Sequence, residues 1–243
     1  MEVAVITGGT RGIGASIAMA LAERNVCLIL NGRHRDSETE QLLSSLGELT
    51  EVRFVEGDAG AEGTAARIAK LASDEFGRID YAVPAAGGPN PGKVTDLSVD
   101  QWMEAFRLHV HAVFHLFRAC HPLLAARGGG FLMIGSVAGR RGCPTTVAYQ
   151  TVKGALPQMA RALARDHAHE GIRVNVVEPG IIRTRFHAAM TPEAERNNLD
   201  NRIPLQRFGS PKNVASAAIE LLTNPFITGE TLVIDGGMSM RMV

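Results

Sequence analysis

Tyr149 and Lys153 stand four residues apart in a stretch patterned as a helix, so one turn puts both side chains on one face. A free phenol titrates near about 10, and a neighbouring ammonium lowers that value by favouring the phenolate. Ser136, thirteen residues before Tyr149, adds a hydroxyl able to donate to a substrate oxygen. Together they suit acid–base work at a carbonyl: hydride addition leaves an alkoxide, and the phenol can supply its proton. The chain has only two tyrosines, which weighs against Tyr149 being an ordinary half-buried aromatic.

A second constellation lies at the start of the chain. Thr7-Gly8-Gly9-Thr10-Arg11-Gly12-Ile13-Gly14 follows an apolar run and opens a helical pattern. Glycines at 8, 12 and 14 let the backbone turn sharply and approach a pyrophosphate. The helix start then offers free N–H groups and the positive end of its dipole.

These residues need a frame. Apolar runs at 3–6, 26–30, 52–55, 80–83, 131–134, 173–177 and 232–234 are mostly continuous rather than alternating, as strands buried on both faces are. Helical patterns at 12–24, 37–46, 61–76, 99–127, 148–170 and 211–222 lie between them. Strand and helix in alternation predict an α/β fold: one doubly wound Rossmann-type domain over 1–243, with about seven parallel strands and helices on both faces. The stretch 182–209 breaks the rhythm, with many charges and weak periodicity, and reads as a substrate lid. Pro157 interrupts the helix bearing Tyr149 and gives no N–H to the Lys153 carbonyl, so a local bend is expected there.

Composition removes other classes. Lys+Arg and Asp+Glu are both 25 in 243 residues, so no bulk charge favours nucleic acid or an anionic membrane. No apolar run approaches a membrane span or a signal peptide, and the expected location is cytoplasmic. Cys27, Cys120 and Cys143 form neither a metal spacing nor a disulfide framework. His111 and His115 are four apart but no third ligand is apparent; His167 and His169 read as surface residues. No metal site is expected.

The order T-G-x-x-x-G-x-G, then Ser136, Tyr149 and Lys153, then Pro179-Gly180 and Asp235-Gly236-Gly237, resembles the short-chain dehydrogenase/reductase family over essentially the whole chain. The resemblance implies a nicotinamide cofactor. It would be held by Thr7, Gly8, Thr10, Arg11, Gly12, Ile13 and Gly14, and by Asn31, Arg33, Asp58, Ala59, Ala86 and Gly87. Tyr149, Lys153, Pro179, Gly180, Ile182 and Thr184 complete that set. Asp58 would meet the adenine, and Lys153 the nicotinamide ribose. A homotetramer or homodimer is also implied, paired through the helices at 99–127 and 148–170. Two positions depart from the pattern. Pro84-Ala85-Ala86-Gly87 stands where the family has Asn-Asn-Ala-Gly, and His109 stands where an asparagine orients a water chain to the lysine. An imidazole titrates near about 6.5, so an acidic limb in activity is expected from His109.

The end of the second strand, Asn31-Gly32-Arg33, lacks the acid that selects NAD; with Arg11 nearby it predicts NADP(H). Within the family the glycine turn and Ile203-Pro204-Leu205-Gln206-Arg207-Phe208-Gly209 look like 3-oxoacyl-[acyl-carrier-protein] reductases. Arg127, Arg140 and Arg141 could form a rim for acidic carrier protein, whereas Glu170 sits where a basic residue is expected. A 3-oxoacyl thioester, another small ketone or alcohol, and a nucleotide-binding module impaired by His109 therefore all stay open.

Overall fold

Strand β1 (Val3–Thr7) is buried along its whole length, and its alternate residues feed two separate cores. Val3 and Val5 join the cluster that includes Phe131, Met133 and Leu156; Ala4 and Ile6 join the one holding Ile17, Leu30 and Ile219. A strand with two apolar faces can only sit between two helical layers. The other strands are β2 (Cys27–Gly32), β3 (Val52–Glu56), β4 (Tyr81–Pro84), β5 (Gly129–Ile134), β6 (Ile172–Pro179) and β7 (Thr231–Ile234). The computed structural model describes residues 1–240. It orders these strands β3-β2-β1-β4-β5-β6-β7, every pairing parallel. The last three residues of the expected domain, 241–243, lie outside the described residues.

The helices are α1 (Gly12–Ala22), α2 (Ser37–Gly47), α3 (Glu62–Glu75), α4 (Val99–Phe106), α5 (Ala112–Ala125), α6 (Val147–His167), α7 (Pro192–Asn197) and α8 (Pro211–Thr223). The helix expected over 99–127 is split. A π turn at Arg107–His111 separates α4 from α5, and the extra residue per turn rolls His109 inward to 2% exposure. Pro157 lies inside α6, which runs on through it.

The chain order reverses between β1 and β4, the place where such sheets bind ligands at the carboxyl ends of their strands. The β4–β5 ladder pairs only Tyr81 with Gly130 and Ala82 with Phe131. Beyond it comes Pro84, which has no N–H to give a neighbour, and the two strands part there. Among the described residues no helix is long and apolar enough to cross a membrane.

Candidate active site

Ser136 is the last residue before a short 3₁₀ turn, Val137–Gly139, that follows β5; its hydroxyl accepts from the Ala138 amide at 3.2 Å. That turn lies directly on α6. A Cβ on Gly139 would come within 2.6 Å of the Gly154 nitrogen, so only glycine lets the two backbones touch. This contact fixes Ser136 relative to Tyr149 one turn earlier on α6, and brings the serine hydroxyl close enough to favour the phenolate. Burial pushes the Tyr149 phenol up to about 12, although the Ser136 hydroxyl acts in the opposite sense. The phenol therefore keeps its proton at neutral pH, as a donor must.

Lys153 is 6% exposed, and its Nζ donates to the Ile134 carbonyl at 2.7 Å. Burial lowers its pKa to about 8. The ammonium lies 5.7 Å from the centre of the Tyr149 ring. It thus reaches the phenol over the ring face while its hydrogen bond goes to the end of β5. Phe186, on the segment after β6, closes the other side, 5.6 Å from Tyr149 ring to ring.

His109 Nε2 lies 3.0 Å from both the Gly88 carbonyl and Asn90 Oδ1. The carbonyl only accepts, so Nε2 carries the hydrogen and Nδ1 the lone pair. That Nδ1 is buried without a partner, against Gly87. Burial first, and the charge of Lys153 second, push the His109 pKa down to about 3. The acidic limb expected from a ring titrating near 6.5 is therefore displaced below the working range, because the site is too dry to charge the imidazole. The consequence falls on stability instead. The unfolded chain binds the extra proton below about 6.5 and the folded chain only near 3, so stability falls as pH drops through that window. His109→Asn should remove about 2–3 kcal/mol of the loss between pH 7 and 4.5, read by urea unfolding at each pH. Identical pH dependence in the two proteins would contradict it.

The glycine turn has the form of a cradle. Arg11, at the N-cap of α1, makes no side-chain cap, which leaves the first-turn amides for a ligand. Gly8 (φ +63°) packs on β4's exit, where a Cβ would come 2.6 Å from Ala86; Gly12 (φ +54°) faces Thr184. Thr7 and Thr10 are buried within the turn, and a Cβ at Gly32 would meet Thr10 Oγ1 at 2.9 Å. The missing acid at position 32 thus has a packing cause. These uncapped amides and close backbone approaches fit a dinucleotide.

Other expected contacts are placed less directly. Asn31 turns its side chain into the sheet, its Nδ2 donating to Val55 O and Gly57 O at 2.9 Å each. Only its backbone borders the cradle, and the side-chain amide braces β2 to β3. Asp58 is ion-paired to Arg107 at 2.7 Å and accepts from the Gly60 amide, beside buried Ala59. Arg11 pairs with Asp36 and Glu38. Arg33 is exposed and forms no ion pair among the described residues. Pro179 ends β6, Gly180 abuts Asp235, and Ile182 is bridged to Gly209. The ends of the 182–209 excursion are thereby tied together, while Arg185 ion-pairs with Glu38 of α2.

Sequence reasoning passed over Gly139, Gly154, Gly88, Asn90 and Phe186. The small residues carry no chemical signal, and the loop partners become neighbours only through the π turn and the excursion.

The geometry agrees with comparisons to known proteins. Residues 8–239 match a family model described as enoyl-(acyl carrier protein) reductase. The chain is 30% identical over 242 residues to carbonyl reductase family member 4 of Xenopus laevis, covering 99% of each. It is 31% identical over 245 residues to the 3-oxoacyl-[acyl-carrier-protein] reductase of Bos taurus, again 99% of each. It is 32% identical to a 3alpha-hydroxysteroid dehydrogenase of Mediterraneibacter gnavus, over 97% of this chain and 96% of that one. A solved short-chain type dehydrogenase/reductase from Mycobacterium ulcerans superposes with a TM-score of 0.93 at 27% identity, covering 99% of this chain and 90% of that one. With its parallel seven-stranded sheet, its glycine turn and this near-complete match, the chain belongs to the short-chain dehydrogenase/reductase family of oxidoreductases.

Proposed function

We propose that this chain moves a hydride between NADP(H) and the carbonyl or secondary-alcohol carbon of a small substrate. The observation that carries the reading is a buried phenol beside Ser136, with Lys153 across its ring and bonded to the end of β5, next to the parted ends of β4 and β5. The nicotinamide, when bound, supplies or takes the hydride. Tyr149 gives its proton to the resulting alkoxide, and Ser136 orients the substrate oxygen. Lys153 holds the ribose hydroxyls and favours the phenolate afterwards. His109 stays neutral, so its Nδ1 lone pair is free to accept from a water serving Lys153. The alternative, a nucleotide-binding module disabled by His109 in place of the relay asparagine, draws no support from a second cation beside the lysine, since burial keeps the ring neutral.

The cofactor phosphates fall to the α1 amides, and the 2′-phosphate to Arg33 and Arg11. Arg11 must leave Asp36 and Glu38, but exposed pairs of that kind contribute only about 0–1 kcal/mol each. Arg33→Ala should raise the KM for NADPH by about tenfold or more while that for NADH barely changes. Equal effects on both, or tighter NADH binding by the parent, would overturn the assignment.

The 182–209 excursion serves as a lid, with Phe186 facing Tyr149. Apolar Phe186 suits a substrate with a hydrocarbon body. Relatives named for 3-oxoacyl, carbonyl and hydroxysteroid substrates are compatible with that class. A carrier-protein rim is poorly supported. Arg127 lies before β5 and Arg140 beyond its far end, about 20 Å apart along the strand. Arg140 is engaged by buried Glu178, and Arg141 donates to Ser239 O. A free small ketone is therefore the better reading. Exposed Val99, Met103 and Phe114 on α4 and α5 support assembly through those helices into a dimer or tetramer. Three free cysteines suit a reducing, cytoplasmic setting. A panel of ketones and acyl thioesters, followed by loss of NADPH or NADH absorbance, tests the function directly; no carbonyl-dependent oxidation of either cofactor would exclude it.

A further inference from the structure

His167, at the end of α6, does more than face solvent. His121, near the end of α5, and His167, the last residue of α6, converge on Glu170 in the 3₁₀ turn Ala168–Glu170. His121 Nε2 lies 2.9 Å and His167 Nδ1 2.7 Å from the same oxygen, Glu170 Oε2. The three atoms fall within 4.8 Å of one another, the one such trio among the described residues. His111 and His115, the pair with helical metal spacing, gain no third ligand.

We propose that His121, His167 and Glu170 form a divalent transition-metal site of the zinc class that joins the end of α5 to the end of α6. Two imidazoles and one carboxylate are the donor set that zinc takes, leaving one position for water. Zinc bonds of about 2.0–2.2 Å in a tetrahedron need ligand atoms about 3.3 Å apart. The carboxylate oxygen and each ring nitrogen thus separate by about half an ångström, while the two ring nitrogens, within 4.8 Å of each other, draw together to admit the ion. The protons balance. Without an ion, each ring presents an N–H to the carboxylate, which can only accept; with one, each neutral ring keeps its proton on its other nitrogen. The surroundings are half prepared. The three side chains are 24–31% exposed, which gives an ion a way in. The Phe117 ring backs both imidazoles, 5.0 Å from His167 and 6.0 Å from His121. Among the described residues no lysine or arginine pairs with Glu170, so no fixed cation competes for it. Eighteen residues of helix separate His167 from Tyr149, about 27 Å, so an ion here braces helices and does not touch the substrate.

Tag-free, chelator-stripped protein titrated with Zn²⁺ by calorimetry tests this. One equivalent per chain should bind, with a tetrahedral absorption spectrum when Co²⁺ is used instead. Zinc at about a hundred times its Kd should raise Tm by roughly 5 °C. His121→Gln and Glu170→Gln should each weaken binding by about tenfold or more, and His115→Ala should leave it unchanged. Circular dichroism without zinc establishes that each variant is folded; Glu170→Gln, nearly isosteric, decides the matter if a histidine variant is not. Absence of saturable binding, or binding that survives Glu170→Gln but not His115→Ala, would overturn the site.

Discussion

Tyr149→Phe is expected to lower turnover by roughly 10²–10⁴-fold while leaving cofactor affinity nearly unchanged. The substitution removes one oxygen. It leaves the ring on Lys153 and Phe186, so the packing at the site persists. What disappears is the phenol proposed to supply the proton for the alkoxide. The remaining Ser136 hydroxyl can hydrogen-bond an oxygen but is a far weaker acid. Because Tyr149 is pushed up to about 12, reduction has a protonated donor throughout the neutral range. The oxidative direction needs the phenolate and should gain rate with rising pH. Steady-state rates in both directions, with cofactor binding by fluorescence titration, check this. Near-parent turnover in Tyr149→Phe would remove Tyr149 from the chemistry.

For Lys153→Met the outcome is a division between activity and stability. Turnover should fall by about a hundredfold or more and cofactor affinity should fall with it, because in the proposed mechanism one ammonium serves both ribose and phenol. Stability at pH 7 should change little. Burying the charge lowers the Lys153 pKa to about 8 from 10.5, an opposing free energy of about 3 kcal/mol that methionine relieves. Against this, the Ile134 carbonyl loses its partner, at about 1–3 kcal/mol. The pH dependence separates the terms. Between about pH 8 and 10.5 the unfolded chain binds more protons at this position than the folded one, so the parent gains stability as pH rises. The gain from pH 7.5 to 9.5 should be about 2 kcal/mol greater in the parent than in Lys153→Met, measured by denaturant unfolding. A parent and variant with parallel curves would show that Lys153 is not desolvated as the structure has it.

The chemistry of the chain was unevenly legible before folding. Tyr149 and Lys153 share a helix, so four-residue spacing alone puts them on one face. Ser136 comes from another element, and its meeting with Tyr149 depends on the Gly139–Gly154 contact, which no periodicity reveals. His109 was visible as a departure from the family pattern, but its tautomer and its low pKa were not. The tautomer follows from carbonyl and amide partners about twenty residues away, and the low pKa from the burial that accompanies the π turn and from the charge of Lys153. The trio proposed to hold a metal shows the same limit. His121 lies 49 residues from Glu170, and no short-range ligand spacing could connect them.

The sequence by itself determined the α/β order, because uninterrupted apolar runs must be covered on both faces and amphipathic stretches between them supply the cover. It also determined the glycine turn, since the freedom needed there belongs to the residue type. Strand ends moved by only a few residues, as at β6, which runs from Ile172 to Pro179 where 173–177 was expected. Tertiary structure alone decided where charge can exist. Arg11 is engaged by Asp36 and Glu38, Arg140 by Glu178, and His109 is kept neutral. The physical reason is that a side chain's charge depends on its solvent and its partners. Both are set by residues distant in the chain and near only after the sheet has closed on its two helical layers.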